Sequence, residues 1–71
     1  MSTEVTAPMS GEVWKVHVKE GDKVQFEDEL MILEALKMEH PIYAPADGTI
    51  AEIKVAEKQK VEANEVLIVL E

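Results

Sequence analysis

The chain repeats itself. Residues 7–34 align with residues 44–71 at a constant offset of 37, without a gap. Ten of the 28 aligned positions are identical: Ala7/Ala44, Pro8/Pro45, Gly11/Gly48, Val18/Val55, Glu20/Glu57, Lys23/Lys60, Val24/Val61, Leu30/Leu67, Leu33/Leu70 and Glu34/Glu71. Val13/Ile50, Val16/Ile53 and Ile32/Val69 differ by a methyl group or less in character. Two matched copies must fold alike, so an element assigned in one copy has to hold in the other. The unrepeated connector, residues 35–43, places Lys37 between Leu36 and Met38. The whole of 1–71 is expected to form a single domain, with repeats 7–34 and 44–71 joined by that connector.

The duplication decides between helix and strand. Phe26, Leu30, Leu33 and Lys37 keep helical spacing, and Glu, Leu, Ala, Lys and Met are strong helix formers. The second copy has Val66-Leu67-Ile68-Val69-Leu70 at the matching positions, a short β-branched run bounded by charge, which reads as a buried strand. Leu30-Met31-Ile32-Leu33 is therefore a strand as well. Thr3-Glu4-Val5-Thr6 is a candidate first strand. Ala7-Pro8-Met9-Ser10-Gly11 and Ala44-Pro45-Ala46-Asp47-Gly48 are repeated corners, where Pro fixes φ and Gly relaxes it. Glu20-Gly21-Asp22-Lys23 is a turn whose second copy, Glu57-Lys58-Gln59-Lys60, has no glycine. Brief extended pieces follow at Val24–Phe26 and Val61–Ala63.

Val13, Val16 and Val18 follow a 3-then-2 spacing, and so do Ile50, Ile53 and Val55. One extra residue in each strand would restore a common inward face, so a β-bulge is expected near Trp14–Lys15 and again near Ala51–Glu52. Pro41 cannot donate to a ladder, so His40-Pro41-Ile42-Tyr43 is expected at a sheet edge or with a break at the proline. Short strands with a turn signal every 8–12 residues indicate an all-β sandwich or flattened barrel, with matching strand sets on either side of the connector. The connector is then a tight hairpin without the Asn-Gly or Asp-Gly that such hairpins favour. Exposed apolar residues and positive φ at non-glycine positions are expected there, a local conflict of the kind found at functional sites. The bland alternative is an ordinary surface lysine with Leu36 and Met38 tucked into the core.

Composition narrows the function. A chain of 71 residues buries only about 60% of its unfolded surface, and it has no cysteine to staple it. A net charge of −8 without a single arginine argues against nucleic acid as a partner. No apolar run is long enough to span a bilayer, so no membrane partner is expected and a cytoplasmic location is the default. Glu27-Asp28-Glu29 reads as a solvated acidic turn rather than a cation site, which would space its ligands around an ordered loop. His17 and His40 lack metal-ligand spacing. Trp14 is expected in core or half-buried packing. No nucleophile–base pair or paired carboxylates argue for catalysis, so the chain is not expected to be an enzyme by itself.

Glu34-Ala35-Leu36-Lys37-Met38 resembles the biotin attachment motif of biotin carboxyl carrier domains, usually E-A-M-K-M. Ala7-Pro8-Met9-Ser10-Gly11 resembles the A-P-M-x-G that opens these domains, and Ala44-Pro45-Ala46-Asp47-Gly48 the matching corner after the hairpin. The resemblance runs from about Thr3 to Glu71. It implies a flattened barrel of two four-stranded antiparallel sheets with quasi-two-fold symmetry, and the modified lysine at a hairpin tip. It further implies that Lys37 carries covalent biotin, that Leu36 and Met38 are its recognition flanks, and that Glu34 and Ala35 complete the motif. Leu36 stands where the family pattern has Met, of similar volume and polarity.

The implied partners are a biotin protein ligase and the biotin carboxylase and carboxyltransferase components of a biotin-dependent carboxylase. Tethered biotin would take up a carboxyl group at the first component and deliver it at the second. Met38-Glu39-His40 resembles the carriers of acyl-CoA carboxylases. An ordinary lysine amine is almost wholly protonated at neutral pH, and no basic side chain adjoins Lys37, so the ligase has to supply the activation. Two other readings compete. A lipoyl domain shares the fold but usually shows an acid directly before the lysine, where Leu36 stands. An unmodified interaction module would have no use for a lysine in this setting.

Overall fold

The computed structural model describes residues 2–71, and every regular element in that range is a strand. They run β1 (Thr3–Thr6), β2 (Gly11–Val16), β3 (Lys23–Val24), β4 (Glu29–Ala35), β5 (Met38–Tyr43), β6 (Gly48–Ile53), β7 (Lys60–Val61) and β8 (Val66–Leu70). They form two four-stranded sheets, in the orders β1-β8-β6-β3 and β5-β4-β2-β7. Every pairing is antiparallel. Advancing each strand by half the chain exchanges the two sheets, β1 for β5, β8 for β4, β6 for β2 and β3 for β7. This is the quasi-two-fold symmetry that the duplication demands.

Each sheet draws strands from both copies. β7 joins the first copy's sheet through Gly11↔Val61 and Glu12↔Lys60, and β3 joins the other through Lys23↔Thr49 and Val24↔Gly48. This differs from separate strand sets on either side of the connector. Crossing over puts Val24 and Val61 into the one core that the two sheets share.

That core is assembled from repeat-matched apolar residues. Val13, Leu30 and Leu33 are fully buried beside Ile50, Leu67 and Leu70, with Met31 and Ile68 completing the layer. Burying each such side chain contributes about 1.5–3 kcal/mol, and among the described residues no polar side chain is buried with them. The corners dock by backbone: Ala7 N–H donates to the Glu65 carbonyl at 2.9 Å and Ala44 N–H to the Asp28 carbonyl at 2.8 Å. Pro41 lies on edge strand β5, as its missing donor requires.

Both bulges are present. The β2–β4 register slips between Val13 and Lys15, and the β6–β8 register slips between Ile50 and Glu52. Val13 and Ile50 are thereby turned into the core, and Trp14 and Ala51 are the extra residues. Trp14 therefore points outward and is 45% exposed. Neither setting expected for it, core or half-buried packing, is found. The reason is the bulge itself, which consumes one step of the inward–outward alternation.

The acidic turn has structural roles. Asp28 Oδ2 accepts the Gln25 N–H at 2.8 Å, Glu29 pairs with His17 at 2.6 Å, and Glu27 occupies the left-handed region at φ 71. The second copy matches it: Glu65 Oε1 accepts the Glu62 N–H at 3.1 Å, and Asn64 also has φ 71.

Candidate functional site at the β4–β5 hairpin

β4 and β5 stay in register to their last pair, Ala35↔Met38, which leaves Leu36 and Lys37 as a two-residue loop. Their φ values are 53° and 61°. Positive φ at both loop positions is the geometry of a type I′ turn, whose twist matches that of antiparallel strands. Neither residue is suited to it, since a side chain in the left-handed region costs roughly 1–2 kcal/mol. The β4–β5 ladder imposes the conformation that local preference opposes.

The loop holds its apolar side chains in solvent. Leu36 is 89% exposed and Met38 63% exposed, so they are not tucked into the core. Lys37 is exposed between them. Among the described residues the ion pairs are His17–Glu29 and Lys54–Glu52, so the Lys37 ammonium is not held to a carboxylate.

The motif residues before the loop have distinct positions. Ala35 is buried against the start of β2. A Cβ added at Gly11 would lie 2.6 Å from the Glu34 carbonyl oxygen and 3.2 Å from Ala35 Cβ. Small residues at 11 and 35 thus allow β2 to lie tightly under the loop. Glu34 is exposed and stands between Glu12 on β2 and Glu39 on β5 in the register, a row of three carboxylates across the sheet. His40 is half-buried, its Nε2 3.3 Å from the Ala35 carbonyl oxygen. That contact ties β5 to the end of β4 and was not legible from the sequence.

The arrangement is a rigid post presenting one free primary amine between two exposed apolar side chains. A family model described as "Biotin-requiring enzyme", for biotin and lipoyl attachment, matches residues 3–70. The chain belongs to the biotin/lipoyl attachment family. Covalently held biotin is the cofactor of such a domain, and an exposed, unpaired lysine on a rigid hairpin suits it.

Related proteins place the attachment domain in larger settings. A biotin/lipoyl attachment protein of Bacillus subtilis is 52% identical over 40 residues, covering 56% of this chain and 55% of that protein. The glutaconyl-CoA decarboxylase subunit gamma of Acidaminococcus fermentans is 54% identical over 41 residues, 58% of this chain and 28% of that subunit. Among solved structures, the Kluyveromyces lactis urea carboxylase superposes with a TM-score of 0.93 at 27% identity, over 99% of this chain and 6% of that one. A single-chain, multi-domain long-chain acyl-CoA carboxylase superposes with a TM-score of 0.90 at 29% identity, over 96% of this chain and 7% of that one. The chain thus matches about half the length of the Bacillus relative and a small part of the two carboxylase chains.

Proposed function

We propose that Lys37 is the biotinylated residue, and that the domain carries a carboxyl group between the biotin carboxylase and carboxyltransferase sites of a biotin-dependent carboxylase. The observation that carries this reading is a solvent-held, unpaired lysine at a strained two-residue hairpin tip, flanked by Leu36 and Met38. Attachment by a biotin ligase forms one amide bond. The Lys37 ammonium gives up one proton, the neutral Nζ attacks the activated carboxyl carbon of biotin, and a second proton leaves the nitrogen as the activating group departs. The ammonium charge is lost in the process. The rigid hairpin fixes where the amine sits and removes the entropy of searching for it.

After attachment, biotin supplies the ring nitrogen that receives and releases the carboxyl group. This chain's own contribution is to hold the arm clear of the domain and keep it at a high effective concentration near both partner sites. It performs no catalytic step itself. The resemblance of Met38-Glu39-His40 to the carriers of acyl-CoA carboxylases supports an acyl-CoA as carboxyl acceptor, while the similar proteins include both acyl-CoA carboxylases and carboxylases of urea and 2-oxoglutarate.

Lipoylation is the second reading. It draws on the name of the Bacillus relative, and the Leu36-Lys37-Met38 tip, without an acid before the lysine, weighs against it. Intact mass after incubation with biotin ligase, ATP and biotin tests the first reading. One biotinyl increment is expected, absent in Lys37→Arg. A lipoyl increment under lipoate ligase, with no biotinyl increment, would replace this reading with the second.

A further inference from the structure

The duplication supplies an internal control for surface function. The two sheets share a fold and a core, so a difference between their outer faces is not dictated by the fold they share. On the tip-bearing sheet the register sets Lys15, Ile32 and Pro41 side by side across β2, β4 and β5, with the bulge residue Trp14 next to Lys15. Trp14 and Pro41 are exposed and Ile32 is half-buried. Tyr43, two residues along β5 on the same face as Pro41, is 53% exposed. On the sister sheet the residues matching Trp14, Lys15, Ile32, Pro41 and Tyr43 are Ala51, Glu52, Val69, Glu4 and Thr6. One face thus presents a tryptophan, an isoleucine, a proline and a tyrosine, and its twin presents small or polar residues with a single valine. Nearer the tip the contrast continues: the carboxylate row Glu12, Glu34 and Glu39 has Thr49 and Glu71 as its counterpart.

We infer that the outer face of β5-β4-β2, centred on Trp14, Ile32 and Pro41, is the surface on which the biotin ligase docks to present Lys37 to its active site. This rests on the reading of Lys37 as the biotinylated residue. The ligase is the occupant because of reach. A bare lysine has only its four-carbon stem, so the enzyme that acylates it must cover the surface beside the tip. Ile32 lies three residues before Ala35, about 10 Å along the strand. Enzymes that act on the finished arm can stand farther off. The chemistry fits a docking site: exposed aromatic and aliphatic anchors at the centre, beside a row of Lys60, Glu12, Glu34 and Glu39 whose net negative charge favours a partner with basic side chains around an apolar recess. Carboxylates directly opposite one another weaken a sheet, so the shared fold gives no reason for the Glu12, Glu34 and Glu39 row at the tip end.

The test borrows residues from the sister face, which the same fold already accepts. The variant Trp14→Ala/Ile32→Val/Pro41→Glu and the sister-face control Val69→Ala are compared with the parent as substrates of a biotin ligase, after circular dichroism confirms that each is folded. Loss of the anchors is expected to raise KM for the domain roughly tenfold, with kcat and the final mass increment unchanged, while Val69→Ala leaves KM within about twofold. KM unchanged in the triple variant, or a fall in kcat alone, would overturn the docking face while leaving Lys37 as the attachment site. A parent chain that takes no biotin at Lys37 would overturn both.

Discussion

The carboxylate of Glu57 accepts the backbone N–H of Val16 from the opposite copy, Oε2 to N 3.1 Å. Its twin is Glu20, which accepts the Ile53 N–H at 3.2 Å. Val16 and Ile53 lie just beyond the two bulges, where the slip in register disturbs the ladder. Each copy thus caps the irregularity in the other, which accounts for the identity of Glu20 and Glu57 between the copies.

Glu57→Ala is expected to destabilise the domain by about 1 kcal/mol, roughly 4–8 °C in midpoint for a chain of this size. Glu20→Ala should do the same. The double variant should show the sum, because the two caps share no partner. Thermal unfolding followed by circular dichroism measures all three.

Gly11 predicts a steric asymmetry between the halves. A Cβ there would meet the Glu34 carbonyl oxygen at 2.6 Å, and at Gly48 the Glu71 carbonyl oxygen at 3.0 Å. Gly11→Ala should cost roughly 1–3 kcal/mol through overpacking, more than Gly48→Ala. The displaced strand is β4, so the damage lies directly beneath the tip. Denaturant unfolding of the two variants compares them, and equal losses would refute the steric account.

The pattern of residues that returned at an offset of 37 was enough to place the strands, because matched copies remove the helix–strand ambiguity at Leu30–Leu33. The 3-then-2 spacing of Val13, Val16 and Val18 located the bulges, and the mismatch between Leu36-Lys37 and a two-residue turn anticipated the positive φ values. The exchange of β3 and β7 between sheets was not legible. Each is two residues long, and a two-residue strand carries no pattern that names its neighbour. The exposure of Trp14 was not legible, because a bulge residue has no parity. Cross-copy contacts such as Glu57 to Val16 depend on the exchange and were hidden with it.

Leu36 tests whether the tip trades stability for recognition. Its φ of 53° suits asparagine far better than leucine. Leu36→Asn is expected to raise stability by about 0.5–1 kcal/mol. It should also lower biotinylation efficiency, because one exposed apolar flank is lost. A stability gain with unimpaired modification would remove Leu36 from the recognition flanks, and unfolding and ligase assays on one preparation read both effects.

Lys58 carries the same conflict without a functional excuse. It occupies the position of Gly21, whose φ is 95°, and is itself held at 73°. Its N–H donates to the Val13 carbonyl at 2.6 Å, as the Gly21 N–H does to the Ile50 carbonyl at 2.8 Å. The hydrogen bond fixes the backbone, and the backbone forces a lysine into a conformation that only glycine adopts freely. Lys58→Gly should therefore stabilise the domain by about 0.5–1 kcal/mol, the steric relief exceeding the extra entropy that glycine gives the unfolded chain. Gly21→Lys should lose a similar amount. Because position 58 lies in the turn between β6 and β7 rather than in the β4–β5 loop, biotinylation of Lys58→Gly should match the parent. A midpoint that falls in Lys58→Gly would show that the lysine side chain makes a compensating contribution at this turn.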